Sequence, residues 1–585
     1  MIDICKGLNN DQKKAVLYVS GPSIILAGAG SGKTRVLIHK VMYLIEEKKV
    51  NPSSILMITF TNKAASEMKK RYLKGDIGYI GTFHSFCSTI LRKQHRYISR
   101  TQSYVIFNED DQSSLIKAII KEKKIQKYSP SFILNKISSA KNLLITPNKY
   151  LHTFSDYSAS SVYEVYAEYE KRLIVNNAFD FDDLVMKAVQ LLQSNEDILL
   201  YYQNKYSYLF IDEFQDTNYA QYILTKLLGE KNRRITVVGD FSQSIYSWRG
   251  ADIQNLQKFQ NDFKNTKVFN LNQNYRSTQY ILDFAHEVIS KNETHPILQL
   301  ITKNKQGEKV EFYEADSEED EAHFVSSEIE RYTNILSHSS FAVLYRTNAQ
   351  SQAIEEGFLH NGIPYILIGG TRFYERKEIK DVLSYIRLLI NSADEVAKNR
   401  IIKLGKRKFQ LFKDSFSKLH ESVSIDSPVE VINNIFKETT YLDFYNKDDP
   451  EDFDRLENIK EFISVASHFE DITSLLEQVA LVESEYSESE KKDRNKNGVR
   501  LMTLHQAKGL EFPVVFIVGV EDGILPHFRS IDDYFQLEEE RRLFYVGITR
   551  AMQKLYITYT KHRFLYGRSG GAIISRFLKD PHEEW

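Results

Sequence analysis

An apolar run, Ile24-Ile25-Leu26-Ala27, stops at Gly28-Ala29-Gly30-Ser31-Gly32-Lys33-Thr34, and a helix-forming segment, Arg35 to Glu46, begins at once. A strand that hands over to a helix through so few residues has little freedom. The glycines permit positive φ, successive N–H groups turn inwards, and the helix adds the positive end of its dipole. The residues follow GxxxxGK[ST] with Ala27 in place of its first glycine, in the required setting of strand, loop and helix, where the lysine reaches the β- and γ-phosphates and the hydroxyl holds Mg²⁺. An ordinary glycine-rich turn is the alternative, and both flanks argue against it. The stretch implies a nucleoside triphosphate site.

With 585 residues the chain is too long for one core, and about 150 residues per domain suggests three or four. Its 42% hydrophobic and 26% charged residues fit a globular protein. The two cysteines, Cys5 and Cys87, cannot build a disulfide framework or a four-thiolate zinc site, which fits a reducing cytoplasm. The N-terminus has no signal-peptide pattern and no run of 18 apolar residues occurs, so a cytoplasmic chain with no membrane span is expected. A net charge of −1 argues against a wholly basic nucleic-acid coat protein. It leaves room for a local basic track, because phosphate contacts act within about 8–10 Å.

Along the chain, Leu8 to Val16 reads as a capped helix whose Gln12 is either an exposed polar residue or a reader of an adenine edge. Ser54 to Phe60 reads as a buried strand leading into a helix from Thr61. Thr82-Phe83-His84-Ser85-Phe86 divides evenly between caps with core aromatics and a nucleic-acid track. From 88 to 202 the pattern is helical, with Val162, Val165, Tyr166, Tyr169 and Leu173 on one face, favouring core tyrosines over a stacking platform. Asp180-Phe181-Asp182-Asp183 suits a carboxylate-capped helix better than a metal site. Strands return at Tyr208-Leu209-Phe210-Ile211, followed by Asp212 and Glu213, and at Ile235 to Asp240. Two acids at a strand end suit Mg²⁺ holding and water activation. Tyr246, Trp248 and Arg249 offer a stacking face beside a cation. A second α/β set begins near 278, with candidate strands Val310 to Tyr313, Phe341 to Tyr345, Arg500 to Leu504, Val514 to Val518 and Leu555 to Thr558 and no second phosphate loop. Between them, 391–497 is a charged helical insertion whose basic runs Lys406-Arg407-Lys408 and Lys491-Lys492 read as solvated faces, with a polar loop at Ser487 to Gly498.

In order along the chain stand LNNDQKKAV, AGAGSGKTR, ITFTNKAASEM, GTFHSFC, FIDEFQDTN, VVGDFSQSIYSWRGAD, LNQNYRS, AVLYRTNAQS, FYERKEIKD, LMTLHQAKGLEFPVVF and EEERRLFYVGITRA. In these the chain resembles the UvrD/Rep/PcrA-type superfamily 1 DNA helicases over nearly its whole length. The resemblance implies an α/β protein of two RecA-like P-loop domains, parallel sheets flanked by helices, with ATP between them. The first domain would comprise 1–87 and 203–277 with a helical insertion at 88–202; the second, 278–390 and 498–585 with a shortened helical insertion at 391–497.

Carried over by position, Gln12 would read adenine and Tyr275 would stack on it, with Gly28, Ala29, Gly30, Ser31, Gly32, Lys33, Thr34 and Arg35 around the phosphates and Glu511 near the ribose. Thr34 and Asp212 would hold Mg²⁺, Glu213 would activate water, and Gln243 would sense the γ-phosphate. Arg276 and Arg550 resemble arginine fingers, residues worth about 10³–10⁵ in rate. The strand track would comprise Phe60, Thr82, His84, Tyr246, Trp248, Arg249, Arg346, Asn348 and His505. The implied activity is ATP-driven 3′-to-5′ movement along single-stranded DNA and unwinding at duplex junctions, in repair or replication, by a monomer or weak dimer. The alternative is a translocase with weak unwinding that strips proteins from DNA or drives an accessory or nuclease partner.

Departures from the family pattern bear on that choice. Ser242 stands where the family usually has Asp, so a local charge or cap is expected to be lost. Ile402-Lys403-Leu404-Gly405-Lys406-Arg407-Lys408 replaces a duplex-contacting hairpin. The sequence ends at Trp585, and neither a long partner-recruiting tail nor a fused nuclease is expected.

Overall fold

The computed structural model describes residues 4–71, 77–125, 127–369, 372–392, 394–423, 427–447, 449–476, 479, 497–565 and 568–579. Ser487 to Lys496 of the expected polar loop, with Lys491-Lys492, lies outside the described residues. The chain divides into two compact units: Met1–Arg276 with Ile289–Asn304, and Ser277–Val288 with Lys305–Trp585.

The strands of the first unit are β1 (Ser23–Ala27), β2 (Ile55–Thr59), β3 (Tyr79–Thr82), the two-residue β4 (Val105–Ile106) and β5 (Ala178–Phe179), β6 (Tyr208–Ile211), β7 (Ile235–Gly239), β8 (Lys267–Leu271), β9 (Gln273–Asn274) and β10 (Ile301–Thr302). Six of them form one sheet in the order β3-β2-β6-β7-β1-β8, parallel throughout. β1, β2 and β7 are buried at every residue, because helices cover both faces of such a sheet, and so they read as unbroken apolar runs. β8 is an edge strand, open at Lys267 and Val268, which explains why its polar sequence gave no strand signal. Since β6, β7 and β1 are neighbours and parallel, their carboxyl ends deliver Asp212, Asp240 and the Gly28 turn to one rim, where open α/β sheets bind ligands.

Helices α1 (Asn10–Leu17), α2 (Lys33–Glu46), α3 (Asn62–Arg71) and α4 (Phe83–Lys93) flank this sheet. Asn9 caps α1 in a reciprocal box with Gln12. α2 starts at Lys33, two residues before the expected Arg35, because left-handed Gly32 turns the chain directly into the first helical residue. Thr82 is the cap of α4, accepting from Ser85 N, and Phe83 and Phe86 are core. The 88–202 region folds as α5 (Glu109–Lys123), α6 (Pro130–Asn142), α7 (Pro147–Thr153), α8 (Ala159–Val175), α9 (Phe181–Ser194) and α10 (Glu196–Lys205), followed in the sheet domain by α11 (Tyr219–Gly229) and α12 (Asn255–Asp262). Val162, Val165, Tyr166, Tyr169 and Leu173 are all buried along α8, as their spacing predicts. The short parallel pair β4 and β5 inside this helical region was not expected; two residues carry no periodicity. Asp180 caps α9 in a box with Asp183. Lys141, fully buried, sits against both and Glu170 at 2.7–2.9 Å, so a lysine ammonium fills the centre that the acids alone suggested for a metal.

In the second unit β11 (Glu311–Ala315), β12 (Phe341–Tyr345), β13 (Tyr365–Leu367), β14 (Val499–Thr503), β15 (Phe512–Ile517) and β16 (Ala551–Thr560) form a sheet in the order β11-β16-β15-β12-β14-β13, again parallel. β13, three residues after Pro364, is the strand the pattern missed. Helices from Lys377–Ile390 to Pro450–Ala466 lie between β13 and β14 in sequence, and Tyr385, Phe412, Ile432 and Phe462 join Phe341, Val343 and Phe516 of the sheet in one buried cluster. No described helix is long and apolar enough to cross a membrane.

One buried charge stands out near the phosphate turn. Lys40 on α2 is 2% exposed and donates to Ala15 O at 3.0 Å, and burial pushes its pKa down to about 7. A lysine whose folded pKa lies below its unfolded value costs stability at pH 7 and less as pH rises towards the unfolded pKa, because the unfolded chain binds the extra proton. Lys40→Met is therefore expected to raise the urea-unfolding free energy by a few kcal/mol at pH 7, and by clearly less at pH 9.5. Equal gains at both pH values would refute this assignment.

Candidate functional site

The Gly28–Lys33 turn is held from outside by its carbonyls. Gly28 O accepts from Ser31 Oγ at 2.7 Å, Ala29 O from Asn274 Nδ2 at 2.7 Å, Gly30 O from Tyr275 N at 2.9 Å and Ser31 O from Gln12 Nε2 at 2.9 Å. Gly30 and Gly32 have φ of +64° and +86°, and a Cβ on Gly30 would stand 2.7 Å from Asn274 Nδ2 and 2.8 Å from Arg276 Cβ. No side chain caps α2, so its first N–H groups and its dipole face the inside of the turn. Lys33 Nζ rests on Ala27 O at 3.2 Å. Tyr275, 43% exposed, is steadied by Asn9 Nδ2 on its hydroxyl at 2.9 Å, and Arg276 N donates to Asn274 Oδ1 at 2.7 Å. Arg35 is exposed and its guanidinium lies against Gly7. Thus Gln12, Gly28–Thr34, Tyr275 and Arg276 converge on one turn.

Beside it lie the acids at the ends of β6 and β7. Asp212 is buried; burial and then the neighbouring Glu213 raise its pKa to about 7, with Lys33 pulling the other way. Glu213 has φ +50°, a left-handed conformation costly for a non-glycine residue, and Gln215 Nε2 holds its carboxylate at 2.6 Å. The same Gln215 accepts from Asp240 N at 3.0 Å, and Asp240 Oδ2 accepts from Gln243 Nε2 at 2.6 Å. Glu213 and Gln243 are therefore joined through Gln215 and Asp240. Sequence reasoning named neither connecting residue; the Gln two places after an acid pair and the Asp closing an apolar strand were the available signals. The serine at 242 brings no carboxylate of its own, and Asp240 Oδ1 accepts from Ser242 N at 3.1 Å. The Ser242 hydroxyl instead meets His295 Nε2 at 3.1 Å.

From Gln243 the chain runs into the aromatic loop. Tyr246 stacks on Phe60, rings 5.7 Å apart and 12° from parallel. Trp248 stands edge-on to Tyr246 at 6.5 Å, is 58% exposed and carries the Arg249 guanidinium 4.5 Å over its ring. His84 is half-buried, and burial lowers its pKa; it meets the exposed Phe181 edge-on at 6.0 Å. Phe181 was considered only as part of a capped helix start. Its neighbourhood to His84 arises from tertiary packing and has no local sequence signal.

The expected residues of the second unit fall in two groups, Glu511 with Arg550, and Arg346 and Asn348 with His505, which the parallel pair β12 and β14 brings side by side (Leu504 N donates to Tyr345 O at 2.8 Å). Arg550 is buried, its guanidinium donating to Val546 O at 2.9 Å, Leu510 O at 3.2 Å and Thr549 Oγ1 at 3.1 Å, and Phe512 N donates to its carbonyl at 3.0 Å. That pairing keeps the exposed Glu511 near Arg550. Arg346 forms a two-armed pair with buried Glu540 (2.7 Å from Nη2, 3.0 Å from Nε), an acid the sequence reading did not name. Asn348 opens a short turn, its carbonyl accepting from Arg376 at 3.0 Å, and His505 lies half-buried after β14.

Residues 8–264 match the model of the UvrD/REP helicase N-terminal domain, and 269–446 with 406–562 match that of the UvrD-like helicase C-terminal domain. A curated relative from Staphylococcus epidermidis, "ATP-dependent DNA helicase PcrA", is 42% identical over 99% of this chain and 87% of its own length. A Staphylococcus aureus protein of the same name is 42% identical over 98% of this chain and 86% of its own. The chain belongs to the UvrD/REP helicase family.

The pairing of Arg346 makes a stability claim that separates it from Arg249. Truncating one partner of a buried ion pair strands the other, so Arg346→Ala should lower the unfolding free energy by about 3 kcal/mol. Arg249→Ala, exposed, should stay within about 0.5 kcal/mol. Urea denaturation of both variants checks this, and similar losses would show that the Arg346 pair is no structural tie.

Proposed function

We propose that this chain is an ATP-dependent 3′-to-5′ single-stranded DNA translocase and DNA helicase, acting in repair or replication in the cytoplasm as a monomer or weak dimer. Family membership and the activity named for its relatives support the activity; the direction rests on family likeness. The observation that carries the mechanism is local: Gln243, bonded to Asp240 beside the phosphate turn, and Trp248, open to solvent, sit five residues apart in one loop.

The residues present fit a nucleotide with its metal. The turn offers inward N–H groups, the uncapped α2 offers its dipole, and Thr34 with Asp212 supplies hard oxygen donors of the kind Mg²⁺ takes. The chemistry such a metal would supply is neutralisation of charge on the phosphates. Lys33 compensates the β- and γ-phosphate charge, Gln12 and Tyr275 hold the base, and Glu511 and Arg35 flank the ribose and phosphates. Glu213, steadied by Gln215, orients and deprotonates the attacking water. Gln243 senses the terminal phosphate, and Arg276 and Arg550 stabilise the spread charge of the transferring group. On the strand side Phe60, Tyr246 and Trp248 take bases between their rings, and Arg249, Thr82, His84, Arg346, Asn348 and His505 line the backbone path, giving sequence-independent grip. In this reading 1–87 with 203–277 and 278–390 with 498–585 are the motor domains, and 88–202 and 391–497 their insertions.

A second reading, a translocase with little unwinding of its own that strips bound proteins or drives a nuclease partner, is favoured by one feature. Ile402–Lys408 continues as helix on both sides of Gly405, from Glu395–Leu404 into Lys406–Asp414, and provides no hairpin to press on duplex.

Hydrolysis by the parent should rise at least about tenfold on adding single-stranded DNA, and Lys33→Ala should lose the rate with and without strand. A parent rate indifferent to the strand would remove the motor reading. Trp248→Ala should cut the strand-stimulated rate several-fold, the loss of one stacking contact of about 1–3 kcal/mol. Unwinding of a 3′-tailed duplex by the chain alone decides between the two readings: strong stimulation with negligible unwinding selects the second.

A further inference from the structure

Asn142, the last residue of α6, follows the buried Lys141 and is the point where the helical insertion touches the catalytic loops. Its side-chain oxygen accepts from Asn218 Nδ2 at 2.6 Å. A Cβ placed on Gly250 would lie 3.6 Å from Asn142 Cβ and 3.7 Å from Asn218 Cβ, at a glycine whose φ is +84°. Asn218 is itself a junction. It caps α11 by accepting from Gln221 N at 2.9 Å, and so closes the turn that follows Asp212 and Glu213. It also forms an antiparallel bridge with Ala251, the residue that leaves the aromatic loop. Alongside, Thr217 O accepts from Asp252 N at 3.0 Å and from Asn255 Nδ2 at 2.8 Å. The exits of the acid-pair loop and of the Trp248 loop are thus fastened to each other, and Asn142 abuts the fastening.

α6 is a firm support for such a contact. Lys141 Nζ lies 2.7 Å from Glu170 on α8, 2.7 Å from Asp180 and 2.9 Å from Asp183 on α9, and Glu170 is shared with Lys187 at 2.9 Å. Shifting α6 would break ion pairs in a buried place, where a stranded charge is costly. Three helices of the insertion, α6, α8 and α9, therefore act as one block up to Asn142.

The geometry points to Asn142 as a positioning residue: through Asn218 and Gly250 it fixes the exit of the loop presenting Tyr246, Trp248 and Arg249, and thereby sets how much single-stranded DNA is needed to stimulate hydrolysis. The inference rests on the stacking role given to Trp248 above. An ordinary helix-packing hydrogen bond would affect thermal stability alone.

The test uses the full chain, oligothymidylate as the strand, and four variants: Asn142→Ala; Asn218→Ser, which keeps a cap on α11 but is too short to reach Asn142; the two combined; and Trp248→Ala. Each single change at Asn142 or Asn218 should raise the half-saturating oligothymidylate concentration about fivefold, the worth of one hydrogen bond. The combined variant should be no worse than either, since both remove the same contact. The KM for ATP without strand should stay at the parent value. Of the two tryptophans, Trp248 and Trp585, only the first remains in a Trp585→Phe background, where its emission should shift in Asn142→Ala. Should Asn142→Ala not fold, Asn218→Ser carries the same expectation. Unchanged half-saturation in the Asn142 and Asn218 variants, with a rise in Trp248→Ala, overturns this inference alone; no rise in Trp248→Ala overturns the stacking role and this inference with it. Parallel changes in KM for ATP and in half-saturation would mean general damage and also overturn it.

Discussion

The first unit depends on a turn whose carbonyls are all spoken for. Gly28, Ala29, Gly30 and Ser31 give their oxygens to Ser31, Asn274, Tyr275 and Gln12 in turn, and Gly32 O takes Val36 N as the first bond of α2. A peptide whose C=O is fixed outwards has its N–H fixed inwards, so the anion-facing surface is set by partners lying behind it. Apart from Ser31 and Val36, those partners come from α1 and from the segment just after β8, which are distant in sequence from each other. The glycine pattern supplies the permitted torsions; the outer donors select one conformation among those permitted.

The same logic governs the acids. Asp212 and Asp240 are both buried, and burial raises the pKa of each while Lys33 opposes it. Carboxylates so placed repel one another, and the structure separates Glu213 from Asp240 by interposing the neutral amide of Gln215, which donates to one side and accepts from the other. An amide can do both at once, whereas a carboxylate or an ammonium cannot. Gln243 repeats the device on the far side of Asp240. The result is a chain of short polar contacts from the acid pair to the loop that carries Trp248, with left-handed Glu213 showing that backbone comfort has been given up to place one carboxylate.

Much of this was legible beforehand, for identifiable reasons. β1, β2 and β7 are central, so burial on both faces wrote them as apolar runs. The turn, the acid pair and the aromatic loop are local motifs whose chemistry sits within a few adjacent residues. What escaped was relational or short. β8 is an open edge with a polar sequence, while β13 is three residues long and β4 and β5 are two each, too short to carry a period. The Arg346–Glu540 pair spans 194 positions and the Ser242–His295 contact spans 53; neither leaves a trace in local composition. The four residues Asp180 to Asp183 were readable as a cap from their position before an apolar run, but the lysine they surround comes from a different helix.

That lysine and Lys40 present the same ammonium in two buried settings with opposite results. Lys141 has three carboxylates within 2.9 Å, and although burial works against its charge, they hold its pKa well above the ordinary lysine value. Lys40 meets a carbonyl, a hydroxyl and the ring of Tyr18, none of which bears a formal charge, and its pKa falls. Depth alone therefore does not decide the state of a buried lysine; the charge count of its neighbours does. An ammonium that stays charged can bind several helices into one body, and Lys141 does so for α6, α8 and α9. One that is ready to lose its proton lends α2 no comparable charged tie. The helix beneath the phosphate turn thus keeps its place through apolar packing by Val36, Leu37, Val41 and Leu44, while in the insertion a charged tie is added to an apolar core that includes Ile137, Val162 and Tyr169.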